Sequence, residues 1–305
     1  MRPTVTLTLA LGGLTLLPSL SGCSVKRLAI NSLGDALAQG GSSYARDDDP
    51  ELVGAAVPFG LKTIESLLDE SPRHRGLLLA AARGFTQYAF AWVQQEADFV
   101  EADDLARATQ LRDRARRLYL RAREYGLRGL EVELPGLREE LRAGPEAALG
   151  RAARKHVPLL HATGLAWFGA IALAKDDSEL SADQYQAEAL MRRALALDEG
   201  YERGSIHDFF ISWESRAASA GGSYERARGH LERALALAGG ARAWPLVAYA
   251  ESSCVARQDR EEFERVIDRA LAVEPGKVAD FRLANVLAQR RAAWLRGRAE
   301  ELFIE

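Results

Sequence analysis

The chain has 305 residues, with 40 Lys and Arg against 43 Asp and Glu, for a formal net charge of −3. That balance leaves no basic excess to neutralise a phosphate backbone, which argues against nucleic-acid binding. Two cysteines, Cys23 and Cys254, are too few for a disulfide-stapled scaffold.

Arg2 opens the chain with a positive charge, Val5 to Leu17 is largely apolar, and Ser21-Gly22 forms a small-residue site before Cys23. The apolar core is shorter than the roughly 18 residues that span a bilayer. This order of charge, core and small site predicts a signal peptide over 1–22. Leu20-Ser21-Gly22-Cys23 resembles the lipobox of bacterial lipoproteins. In that group the cut falls before the cysteine, whose sulfur and new amino group are acylated. Each buried methylene contributes about 0.8 kcal/mol, so two or three chains anchor firmly where one holds weakly. Ser24 rather than Asp follows Cys23, which by resemblance to enterobacterial sorting favours the outer membrane. Residues 23–46, rich in Gly, Ser and Ala, read as a tether with a short first helix. The mature chain from Cys23 keeps 283 residues, with 39 bases and 43 acids for a net charge of −4. Once Cys23 is acylated, Cys254 has no partner for an intrachain disulfide, and its Ala- and Val-containing surroundings predict a small buried thiol.

A helical domain is predicted over 47–305. Asp49 fits an N-cap and Pro50 the first helical position of a helix running to Glu70. Pro58 inside it is expected to kink or interrupt the helix. Asp47-Asp48-Asp49 lacks the spacing and late Glu of a calcium loop. Further on, 191–200, 231–240 and 267–276 share an Arg-Ala-Leu-Ala pattern that ends at Gly or Pro-Gly. Their matched alanines, Ala194, Ala234 and Ala270, are spaced by 40 and then 36 residues, and a weaker copy places Ala122 another 72 before Ala194. Each copy closes a helix that follows another helical segment. The predicted pairs are Arg75–Ala97 with Leu105–Glu124, His156–Ala174 with Ala182–Leu197, Ile206–Ala220 with Tyr224–Leu237, and Trp244–Gln258 with Glu261–Val273. Gly164-Leu165-Ala166 and Ala217-Ala218 suggest close helix approach. Strand signals are almost absent. The expected architecture is all-α, a stack of antiparallel helix pairs like tetratricopeptide repeats, with Pro50–Glu70 capping one end and Ala279–Phe303 the other.

The side-chain chemistry points to binding. No nucleophile elbow, phosphate loop, dinucleotide fingerprint or His-Glu-x-x-His motif is present, so no catalytic residue, metal or cofactor is predicted. His74, His156, His161, His207 and His230 read as structural or solvated. His156 and His161 fall off one another's helical face, and His207 and Asp208 point apart. The aromatics are more suggestive. Phe85, Tyr88 and Trp92 share one face of a first helix, Trp167 and Phe168 lie in the next, and Phe209, Phe210 and Trp213 in the one after. First helices line the concave side of such stacks. Phe85, Tyr88, Trp92, Trp167, Phe168, Phe209 and Trp213 are therefore candidates for an apolar groove, against the simpler role of core filling. Arg107–Arg123 carries seven arginines, read as a solvated face or as a contact for an acidic partner or anionic headgroups.

Four blocks carry a family resemblance: Asp47-Asp48-Asp49-Pro50-Glu51-Leu52-Val53; Pro58-Phe59-Gly60-Leu61-Lys62-Thr63-Ile64-Glu65; Ala81-Ala82-Arg83-Gly84-Phe85 with Tyr88-Ala89; and Leu118-Tyr119-Leu120-Arg121-Ala122-Arg123-Glu124-Tyr125-Gly126-Leu127-Arg128. They resemble the T-component lipoproteins of tripartite ATP-independent periplasmic (TRAP) transporters. The resemblance covers 47–128 by motif and the remainder by repeat pattern and length. It implies an all-helical, lipid-anchored protein facing the periplasm that associates with a solute-binding P-component. It also implies self-association, as a trimer, around a pore that passes an apolar ligand. The alternative reading is a general repeat scaffold for envelope protein assembly.

Overall fold

The computed structural model describes residues 42–174 and 177–304. Cys23, the 1–22 segment and most of the 23–46 tether lie outside the described residues. Every regular element among those described is helical, as expected. The body is built from α1 (Pro50–Glu70), α2 (Arg75–Tyr88), α3 (Gln95–Val100), α4 (Leu105–Glu131), α5 (Val157–Ala172), α6 (Gln184–Leu197), α7 (Ser205–Glu214), α8 (Tyr224–Ala238), α9 (Trp244–Tyr249), α10 (Arg260–Leu271) and α11 (Arg282–Gly297). A π-helical segment, Ala89–Gln94, joins α2 to α3, and a second, Ala250–Cys254, continues α9. A short helix, Ser42–Ala45, precedes α1.

Local chemistry sets the helix starts. The Asp49 carboxylate accepts from the Leu52 amide at 2.9 Å, with Pro50 in the first turn. Asp104 and Asp259 do the same for α4 and α10, at 2.8 and 3.0 Å. Helix α8 ends as its glycines predict, with Gly239 at φ 59° and the Gly240 amide donating to Leu235 O at 2.9 Å. Pro58, by contrast, does not interrupt α1. The carbonyl four residues before it belongs to Gly54, which has no Cβ. The Trp92 indole occupies the space that a Cβ would fill, and its N–H donates to Pro50 O at 2.8 Å.

The predicted pairs form, with two corrections. Helix α2 packs on α4, α5 on α6, α7 on α8, and α9 packs on α10. The matched alanines Ala122, Ala194, Ala234 and Ala270 are fully buried. Gly164 permits the close approach of α5 and α6, since a Cβ there would sit 2.6 Å from the Met191 sulfur. The expected helix to Ala220 instead stops at Glu214, where Ser223 returns its amide to Glu214 O at 2.7 Å. Ala217 and Ala218 are exposed in that turn rather than wedged between helices. Cys254 is fully buried, and burial pushes its thiol up to about 12.

The second correction concerns the ends of the stack. Pro50–Glu70 and Ala279–Phe303 do not cap opposite ends; they meet. Arg46 pairs with Asp280 at 2.7 Å, Arg290 with Glu51 at 2.9 Å, and Arg282 with Asp48 at 3.8 Å. Phe99 of α3 packs on Trp294 of α11 at 5.4 Å, and Phe90 meets Trp244 edge-on at 5.0 Å. Each apolar end is covered by the other, so the stack closes on itself.

Arg291 secures the closure. Its side chain is buried, forms an ion pair with Asp98 at 3.1 Å, donates hydrogen bonds to Glu251, and stacks over Trp294 at 4.2 Å. Removing one partner of a buried ion pair costs roughly 3–5 kcal/mol, and Glu251's partial solvent contact places this site at the low end. Arg291→Leu is expected to lower the unfolding free energy by about 3 kcal/mol, seen as a lower urea midpoint, and to expose Trp294, read by its fluorescence. An unchanged midpoint would show that the seam holds without the guanidinium.

Candidate functional site

The first helices of the pairs form an inner circuit. Helix α2 packs on α5, α7 on α9, and α9 on α11, while Phe168–Phe209 joins α5 to α7 and the Arg291 seam joins α11 to α3. The aromatic candidates divide into two groups on this circuit. Phe168, Phe209 and Trp213 converge, with ring centres 4.5 Å (168–209), 4.8 Å (168–213) and 5.7 Å (209–213) apart. Phe168 and Phe209 are half-buried. Trp213 is held from two sides: its indole N–H donates to Glu188 at 3.1 Å, and the Arg216 guanidinium lies 3.3 Å above its ring.

Phe85, Tyr88 and Trp92 lie elsewhere, in the crevice between α1 and α4. Phe85 is buried and stacks on Tyr125 at 6.0 Å, and Tyr88 stacks on Trp92 at 5.9 Å. Trp167, one residue from Phe168, is buried beneath the Arg123 guanidinium at 5.0 Å. Sequence reasoning omitted Phe90 and Trp244. They are 154 positions apart, and only the closure of the stack brings them together.

The starts of α5, α7, α9 and α11 gather at one end of the circuit. Over them lies the turn Tyr201–Gly204, in which Glu202, Arg203 and Gly204 take successive positive φ angles of 44°, 52° and 85°. Two side-chain-bearing residues in this region cost about 1–3 kcal/mol each. Contacts on both sides hold the turn. Glu202 pairs with Arg83 of α2, Tyr201 meets His161 of α5 edge-on at 5.4 Å, and Arg203 lies 5.5 Å over Phe281. Beside it, Asp208 and Arg242 form a largely buried pair, and burial raises the Asp208 carboxyl despite that partner.

The histidines behave as structural groups. His74 caps α2, accepting from the Leu77 amide at 3.2 Å, and His156 accepts from the Ala153 amide at 2.9 Å. His207 and His230 face one another, Nδ1 to Nδ1 at 2.7 Å, while Asp208 turns away to Arg242. Burial pushes His161 down to about 4, and burial with the neighbouring His230 does the same to His207. Among the described residues no cluster of three His, Cys, Asp or Glu side chains could hold a metal, and no helix is long and apolar enough to cross a membrane.

The two depressed histidines set an acid limit. Unfolded, each takes a proton near pH 6.5; folded, each resists until about pH 4. The unfolded chain binds more protons across that window, so stability falls as pH drops through it, by on the order of 3 kcal/mol for His161 alone. Denaturant midpoints measured between these pH values should decline in the native chain and decline less in His161→Gln.

Residues 46–303 match the family model described as the TRAP transporter T-component. The chain is also 31% identical to an uncharacterized protein of Treponema pallidum (strain Nichols), across 93% of this chain and 94% of that one. The motif blocks at 47–128 therefore fall inside a match that continues to the last described helix.

Proposed function

We infer the role of this chain from one premise: it belongs to the TRAP transporter T-component family. It is an accessory component of a bacterial transport system, works in the cell envelope and associates with other components of that system. Beyond this, our reading is that residues 1–22 are removed and that acylated Cys23 anchors the protein to a membrane, the outer membrane by its Ser24. The 47–305 domain then faces the periplasm. There it binds the solute-binding P-component, self-associates as a trimer, and holds or passes an apolar solute by binding without chemistry.

The observation that carries the solute reading is the Phe168–Phe209–Trp213 trio. A core-filling cluster has no need to leave two phenylalanine rings half-buried, whereas an apolar site with a few placed polar groups does. Glu188 and Arg216 fix the Trp213 plane and leave the flanking rings to meet a ligand. The Phe85–Tyr88–Trp92 group, locked between α1 and α4, serves stability in this reading.

Phe209→Ala and Trp213→Ala are expected to weaken binding of an apolar probe such as phenylnaphthylamine about tenfold, at unchanged helical content by circular dichroism. Trp92→Ala should lower stability and leave probe affinity intact. Equal affinity in all three folded variants would remove the trio from the site. Cys23→Ala should abolish palmitate incorporation and release the protein from the membrane fraction.

A further inference from the structure

Helix α4 is the most basic element of the chain, with eight arginines against Asp113, Glu124 and Glu131. The structure sorts those arginines by face. Arg112 pairs with Asp98 and Glu101, Arg116 with Asp177, and Arg123 with Asp183, all on the flank turned toward the fold. Arg107, Arg114, Arg117, Arg121 and Arg128 fall within one stripe about 30 Å long on the other flank. Arg107 and Arg117 are exposed and make no ion pair among the described residues. Three others are held over rings: Arg114 over Tyr88 at 5.6 Å, Arg121 over Phe85 at 5.4 Å, and Arg128 over Tyr125 at 5.3 Å. The rings set these guanidinium groups in place while their outer edges stay in water.

Helix α1 meets α4 through Glu65, which accepts from Tyr125 at 2.7 Å and faces Arg121 at 3.6 Å. Its outward face carries Leu52, Phe59 and Lys62. Leu52 is 61% and Phe59 80% exposed, and with Tyr44 they are three of the six large apolar side chains exposed among the described residues. Tyr44 sits beside Gly60, so the first described helix lies against α1 next to the position of Phe59.

We propose that the paired outward faces of α1 and α4 dock on a bilayer surface bearing anionic phosphate headgroups. A row of arginines beside exposed Leu and Phe is the composition of an interfacial surface: the charges meet phosphates and the apolar side chains enter the boundary layer. An acidic protein face would satisfy the arginines and leave Phe59 unexplained. Where the chain enters the fold also favours lipid. With Cys23 acylated, as read above, the tether joins the described helices at Ser42–Ala45, beside α1. Anchor and surface then act together, each raising the effective concentration of the other.

The test uses the chain from Ser24, which contains every described helix and no acyl group, so it does not depend on lipidation. Sedimentation with phosphatidylcholine vesicles, with and without phosphatidylglycerol, reads the affinity. Binding should appear with phosphatidylglycerol and weaken with salt. Neutralising Arg107 and Arg117 to Gln should weaken it about fivefold per charge, and Phe59→Ser should weaken it further. Both variants leave every observed ion pair intact. Arg228→Gln with Arg269→Gln, on α8 and α10, serves as the charge-matched control and should change nothing. Three outcomes would overturn the proposal: no preference for phosphatidylglycerol, equal loss in the control, or binding to polyglutamate as tight as to the vesicles. The last would assign the stripe to an acidic protein.

Discussion

Closure of the helix stack rests on one buried guanidinium. Stacked helix pairs bury their apolar faces against neighbours, which leaves two uncovered ends. Here each end covers the other, and Arg291 lies at the join. It draws Asp98 of α3 and Glu251 of the second π-helical segment to one point and stacks on Trp294. A buried charge with both carboxylates present is tolerated; with either removed it opposes folding. Around this join the ion pairs Arg46–Asp280 and Arg290–Glu51 and the ring contacts Phe99–Trp294 and Phe90–Trp244 complete the closure.

Both π-helical segments lie on the two inner helices that meet across the closure. A π turn adds a residue to the helical repeat and re-aims the side chains that follow it. Ala89–Gln94 lets Phe90 reach Trp244 while Val93 and Ala97 remain in the core. Ala250–Cys254 presents Glu251 to Arg291 while Cys254 stays fully buried. The same fold thus satisfies core packing and seam contacts that a regular helix would place out of phase.

The arginines divide into three kinds of work. Arg291, buried, and Arg242, largely buried, pair with carboxylates and bind elements to one another. Arg83 and Arg203 hold the strained Tyr201–Gly204 turn from two sides, at the end of the circuit where four inner helices begin. The outer stripe of α4 has the least internal pairing. In composition these residues are one class, and in the structure they differ by what shares their space.

Sequence alone determined the all-helical class, the pairing of the helices, the cap at Asp49, and the family blocks at 47–128. These follow from spacings of three and four residues and from backbone groups that only a few side chains can satisfy. It also marked the aromatic residues, because large rings at helical spacing must meet something. Which rings meet was decided by tertiary structure. Phe168, Phe209 and Trp213 share a site because α5 and α7 lie side by side, whereas Phe85, Tyr88 and Trp92 face the crevice under α1. The closure itself left no local trace: Arg291 and Asp98, or Phe90 and Trp244, are joined by contacts spanning more than half the chain. No periodicity encodes such a contact. It arises from the summed rotation of successive helix pairs, which brings the last pair back to the first.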